Sequence, residues 1–200
     1  MLSFKPGKEV PEVRPGTISD FFCVEWRHMD TREFYDLIVS RRSIRDFEEA
    51  PVGRAELDLL LKAAQWAPSG MNNQPWRFVT IETRETMDRL AELTKYGMLF
   101  KKAPAAVAVF LDNASVYNKV KDIQGVGAAL ENILLAAHSL GLGACWIGEI
   151  LNRGGDVEAL LDVAPSMELM AVVLVGHPKT GAHEGTRNRK PLENLILGRF

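Results

Sequence analysis

The stretch GVGAALENILLAAHSLGLGACWIG, Gly125–Gly148, decides the architecture of this 200-residue chain. Up to Gly143 it reads as a helix that is apolar nearly all round, and such a helix belongs in the middle of a fold. ACWIG, Ala144–Gly148, then reads as a short strand. A buried helix that feeds a strand needs a sheet beside it, and three further strands are available. They are RFVTIE (77–82), AAVAVFLD (105–112) and MELMAVVLVGHP (167–178), the last two being apolar runs of buried-strand type. Between them lie helical patterns. Asp30 or Thr31 can cap a first helix, with Glu33 in its first turn and Phe34, Leu37 and Ile38 as its apolar stripe. GRAELDLLLKAAQWA carries Leu57, Leu60, Leu61 and Ala64 at amphipathic spacing and is ended by Pro68. TRETMDRLAELTKYG is expected to be one helix closing on Gly97, and DVEALLDV a short one. Asn113–Gln124 reads as a polar connection. Strands alternating loosely with helices give an α/β or α+β sandwich, with no internal repeat.

Bulk properties narrow the function. The chain is 46% hydrophobic and 25% charged, with net charge -2, the profile of a soluble globular domain. A broad basic surface for nucleic acid or anionic membrane is not expected. No apolar run is long enough to span a membrane, and no signal-peptide core is present at the N-terminus, so a cytoplasmic location is expected. The two cysteines, Cys23 and Cys145, form no C-x-x-C pair, which excludes a disulfide framework and the usual zinc spacings. Cys145, in an apolar run, reads as a buried, inert thiol. Residues 1–29, with three prolines before Thr17, read as an arm, flexible or packed across a partner. The organised domain is expected over 30–200. G-x-G-x-x-G fails at Leu130, and no P-loop motif occurs.

Three stretches carry candidate chemistry. SRRSIRDF (40–47) places Arg41, Arg42 and Arg45 around Ser43, and TRNRKP (186–191) adds Arg187, Arg189 and Lys190. Guanidinium forks and a hydroxyl suit phosphate oxygens, but the spacing alone equally allows solvated charge. PSGMNNQPW (68–76) is a loop by every turn signal. Its Asn72, Asn73 and Gln74 could read the edge of a planar heterocycle or merely satisfy the loop's own backbone.

Together with AALENILLAAHSLGLGACWIG, VLVGHP and RKPLENLI, in this order, these motifs resemble the nitroreductase family of FMN-dependent oxidoreductases over about residues 31–200. The resemblance implies an α+β, three-layer sandwich with a central, mainly antiparallel sheet flanked by helices. It implies a homodimer with FMN at the subunit interface, NADH or NADPH as reductant, and a small conjugated acceptor such as a nitroaromatic, quinone or enone, reduced by a ping-pong mechanism. By resemblance, Arg41, Arg42 and Ser43 meet the FMN phosphate and ribityl chain, and Arg45 lies beside the pyrimidine edge of the flavin. Asn72 and Gln74 lie near the isoalloxazine, and Trp146, Ile147 and Gly148 pass its N5 side. Arg189, with Arg187, closes the phosphate site. The flavin carries the redox chemistry, so no catalytic side chain and no metal is expected. The same fold also serves reductive dehalogenation and flavin fragmentation, and a non-catalytic flavin-binding module is a further alternative.

Overall fold

The computed structural model describes residues 30–182 and 188–199. The expected arm at 1–29 and Arg187 lie outside the described residues.

The apolar run Ala105–Asp112 forms β2, and every residue in it is buried. A strand covered on both faces belongs inside a sheet. β2 accordingly pairs antiparallel with β1 (Trp76–Ile81) on one side and β4 (Met167–Gly176) on the other. β3 (Gly143–Ile147) pairs antiparallel with the outer side of β4. The order is β1-β2-β4-β3, so β1 and β3 are opposite edges. Strand alternation sends successive side chains to opposite faces. Val107, Val109 and Val173 meet α2 (Arg54–Gln65) and α5 (Lys119–Ser139) on one face. Phe110, Val172 and Leu174 meet α3 (Arg84–Ala91), α4 (Gly97–Lys102) and α6 (Gly154–Leu160) on the other. These are the three layers of the expected α+β sandwich, with helices on both faces of an antiparallel sheet.

α5 is the central helix expected from its composition, and no residue from Gly125 to His138 is exposed. It starts earlier than the sequence pattern suggests. Asn118 caps it through Lys121 N, so the polar connection is only Asn113–Asn118. The helix expected over 83–97 also needs correction. α3 ends at Ala91, and Gly97 opens α4 instead of closing α3. A Cβ on Gly97 would lie 2.3 Å from the Ala91 carbonyl oxygen, so only glycine lets the two short helices meet this closely.

α1 (Thr31–Ser40) starts as expected, with the Asp30 carboxylate accepting from Arg32 N at 2.8 Å. Its apolar stripe is left largely uncovered by the other described residues. Phe34 and Ile38 are exposed, and no residue of the helix is buried.

Candidate functional site

The basic stretch is held in place by its apolar neighbours. Ile44 and Phe47 are buried, and each enters a notch made by a glycine. Gly143 and Gly176 are cross-strand partners. A Cβ on Gly143 would lie 2.7 Å from Ile44 Cγ2, and one on Gly176 would lie 2.8 Å from Phe47 Cδ1. The extended chain thus lies along β3, with a parallel bridge between Ser43 and Ala144 and an Ile44 N–H···O Ala144 bond of 2.9 Å. Burying Ile44 leaves its neighbours Ser43 and Arg45 exposed.

The stretch is also tied to α5. Ser40 Oγ lies 2.7 Å from His138 Nε2, and Arg41 Nε lies 3.4 Å from Glu131 Oε1. Arg41 Nε is buried and makes no hydrogen bond, so the pairing with Glu131 leaves the guanidinium incompletely satisfied. Arg42 is half-buried, and Arg45 donates to the Ser43 carbonyl at 3.3 Å. Three guanidinium groups and a hydroxyl on one anchored segment form a donor set that fits an oxyanion such as a phosphoryl group. Among the described residues, Arg189 is exposed and its recorded hydrogen bond is to the Asn188 carbonyl.

Beside this stretch, β3 brings Trp146, Ile147 and Gly148 to the same edge. Trp146 is 41% exposed, whereas Ile147 is buried. Gly148 starts a 3-10 turn over Glu149–Arg153. The Glu149 carboxylate accepts from Thr94 Oγ1 and from Lys95 N, which pins that turn to the α3–α4 connection. The Thr94 hydrogen bond holds the Glu149 carboxyl below its ordinary value, against the opposing effect of desolvation. Burial pushes the Cys145 thiol up, in keeping with an inert role.

The amide loop occupies the other edge, just before β1. Met71, Asn72 and Gln74 all have left-handed backbones, with φ of 54°, 56° and 46°. Each costs on the order of 1 kcal/mol outside glycine, although asparagine tolerates the region best. Within the loop, Gln74 N donates to Ser69 Oγ at 3.1 Å and Gln74 Nε2 to the Asn72 carbonyl at 3.2 Å. Asn73 Nδ2 instead reaches Asp122 Oδ1 at 2.9 Å and the Ser115 carbonyl at 3.1 Å. The purely structural reading therefore holds for Asn73. The Asn72 side chain makes no hydrogen bond among the described residues and is exposed, free to read a ligand.

No hydrogen bond or ion pair among the described residues joins the amide loop to the basic stretch. The sheet order explains why: β1 and β3 are separated by three interstrand spacings of ~4.8 Å, or about 14 Å. The supporting residues Asp112, Asp122, Arg77, Thr94 and Glu149 did not stand out in the sequence. Their only local signal is an acidic residue in the first turn of a helix whose later turns are apolar, at Asp122.

The nitroreductase family model matches residues 38–123 and 100–177. An Archaeoglobus fulgidus protein provisionally named NADH dehydrogenase/NAD(P)H nitroreductase is 36% identical over 151 residues, 74% of this chain and 86% of that one. The Bacillus subtilis FMN reductase [NAD(P)H] is 27% identical over 163 residues, covering 70% of this chain and 64% of its own length. A crystal structure of a provisionally named nitroreductase from Desulfovibrio desulfuricans in complex with FMN superposes with a TM-score of 0.77. It is 41% identical and covers 82% of this chain and 95% of that one.

Proposed function

This chain belongs to the nitroreductase family, and from that premise we propose that it is a homodimeric, FMN-dependent oxidoreductase. It takes electrons from NADH or NADPH and passes them to a small conjugated acceptor such as a nitroaromatic, quinone or enone. The observation that carries the reading is the anchoring of Arg41, Arg42, Ser43 and Arg45 along β3, beside Trp146–Gly148. FMN, when bound, supplies the hydride and electron transfer. The chain's residues then have to bind, orient and tune. Arg41, Arg42 and Ser43 hold the phosphate and ribityl end, with Arg189 and Arg187 closing over it. Arg45 faces the pyrimidine edge, where its charge favours the reduced, more anionic ring. Asn72 and Gln74 hydrogen-bond the ring edge, and the backbone at Ile147 and Gly148 passes beside it.

The placement of these groups on opposite edges supports the dimeric form of this proposal. One chain offers the basic stretch beside β3 and the amide loop before β1, and the two strands are about 14 Å apart. A site that uses both takes the loop from a second copy. Exposed Phe34, Tyr35 and Ile38 on α1 and Leu192, Leu195 and Leu197 in the tail supply apolar surface for that contact. No described helix is long and apolar enough to cross a membrane.

With one site over the ring, reductant and acceptor would bind in turn, giving ping-pong kinetics. The test is reconstitution with FMN followed by anaerobic stopped-flow reduction with each nicotinamide and reoxidation by an acceptor panel. Flavin bleaching and acceptor-dependent recovery are expected. A protein that never acquires a flavin band would sink the proposal. Product analysis distinguishes acceptor reduction from dehalogenation or flavin fragmentation.

A further inference from the structure

Among the described residues, the buried charged groups are Asp112 and Asp122. Both serve the same loop. Asp122, fully buried near the start of α5, accepts from Asn73 Nδ2 at 2.9 Å, Tyr117 N at 3.0 Å and Asn118 N at 3.1 Å. Asp112, at the end of β2, accepts from Arg77 Nη2 at 3.0 Å and Ser115 Oγ at 2.9 Å. Arg77 turns its other nitrogen to the Gln74 carbonyl at 3.0 Å and the Trp76 carbonyl at 2.8 Å. Ser115 closes the network, because its carbonyl accepts from Asn73 Nδ2 at 3.1 Å.

The left-handed residues Asn72 and Gln74 are therefore held from two sides. Asp122 fixes the Asn73 side chain between them. Asp112, through Arg77, fixes the carbonyl of Gln74. Burying a carboxylate is costly unless hydrogen bonds replace its water. Two such carboxylates converging on one exposed loop of high-energy backbone are far more than an ordinary turn requires. Backbone strain maintained by a rigid surround is a mark of preorganisation.

We infer that Asp122 and Asp112 are positioning residues for the flavin-reading loop, holding Asn72 and Gln74 in the geometry that sets how the ring is reduced. The inference rests on the proposal that this chain binds FMN. Asp122 has the sharper signature. Asn in its place retains one acceptor oxygen for the Tyr117 and Asn118 amides but turns an NH2 toward Asn73 Nδ2. Two donors then face each other, or Asn73 turns its buried, unpartnered Oδ1 to that NH2 and gives up its bond to the Ser115 carbonyl; either way the loop loses a tie.

The experiment compares FMN-loaded wild type, Asp122→Asn and Asn73→Ala. The measurements are FMN affinity, flavin midpoint potential, and the anaerobic rate of reduction by the better nicotinamide. Both variants should keep most of their FMN affinity, because the phosphate donors are untouched and the loop, though loosened, is still present beside the ring. Both should shift the two-electron potential by at least a threefold change in equilibrium, ~15 mV, and slow reduction by ten- to a hundredfold. A purely structural role would lower the melting temperature and leave the potential and the per-flavin rate unchanged, which would overturn the inference. Asn73→Ala removes a half-buried amide, so it keeps the test decisive if Asp122→Asn does not fold. Wild type that binds no FMN overturns the functional proposal as well. Wild type that binds and reduces FMN, with variants identical to it, overturns this inference alone.

Discussion

Arg45 is exposed, and its recorded hydrogen bond is to the Ser43 carbonyl. No carboxylate among the described residues forms an ion pair with it, so its charge is available to a ligand. Arg45→Ala should leave the fold intact, lower the flavin midpoint potential and slow anaerobic reduction. A solvated unit charge a few ångströms from developing negative charge is worth about 1 kcal/mol, roughly fivefold in rate. Potentiometry on the loaded variant checks this, and an unchanged potential would mean that Arg45 does not reach the ring. At this scale the sequence was partly legible. Arginines grouped around a serine suggest an anion site, but Asn72 is set apart from Asn73 only by the family resemblance and not by the chemistry of the string. Their division of labour depends on Asp122, which is 49 residues from Asn73 in the chain.

The basic stretch works as an element because Gly143 and Gly176 let Ile44 and Phe47 sink into the sheet edge. Gly143→Ala would put a methyl 2.7 Å from Ile44 Cγ2, inside contact distance. Overpacking of this kind costs typically 1–3 kcal/mol. The displaced stretch carries Ser43 and the arginines with it, so FMN affinity should fall along with the denaturation midpoint. Ile44→Ala removes Cγ2 and Cγ1 and keeps Cβ, 2.8 Å from the added methyl, so it relieves part of the clash. The double variant should therefore be less destabilised than the sum of its parts, and additive effects in denaturant titrations would refute the notch. Elements with a strong period were readable in advance, including α2, β2 and the body of α5. The break at Gly97 was not, because glycine both ends helices and permits close packing, and only the Ala91 carbonyl shows which applies here. The early start of α5 was hidden for a related reason. Its first turns are polar on the outside, and their one buried polar side chain, Asp122, faces the amide loop and has no place in an apolar stripe.

For the whole molecule, acid stability follows from the same carboxylates. The Ser115 hydrogen bond, followed by the Ala114 amide, Ser166 and Arg77, lowers Asp112 against its desolvation. Burial alone would raise Asp122, but hydrogen bonds from Asn73, Asn118 and Tyr117 outweigh it and lower it as well. A carboxyl depressed in the folded state adds stability above its unfolded pKa and loses it as pH falls through the folded value. Urea midpoints should therefore hold steady from about pH 7 to about pH 5 and drop below about pH 4. Asp122→Asn should flatten that drop, and a loss already complete at about pH 5 would assign it to other groups. The order of the sheet was not legible from the strands alone, yet it has the largest functional consequence. With β1 and β3 at opposite edges, the proposed site is complete only when two copies meet. Leu192 and Leu195 are each 61% exposed, and Leu197 is fully exposed, whereas both faces of the sheet are already covered. Covering three leucines in a partner is worth on the order of 5 kcal/mol per protomer. Deleting residues 191–200 should therefore convert a dimer into a monomer by light scattering. FMN should be lost with it, although Arg41, Arg42 and Arg45 remain in place. A truncated chain that stays dimeric would move the contact to α1, where Phe34, Tyr35 and Ile38 are exposed. A truncated monomer that still binds FMN tightly would show that one chain suffices, and that the amide loop of a second copy is not needed to hold the ring.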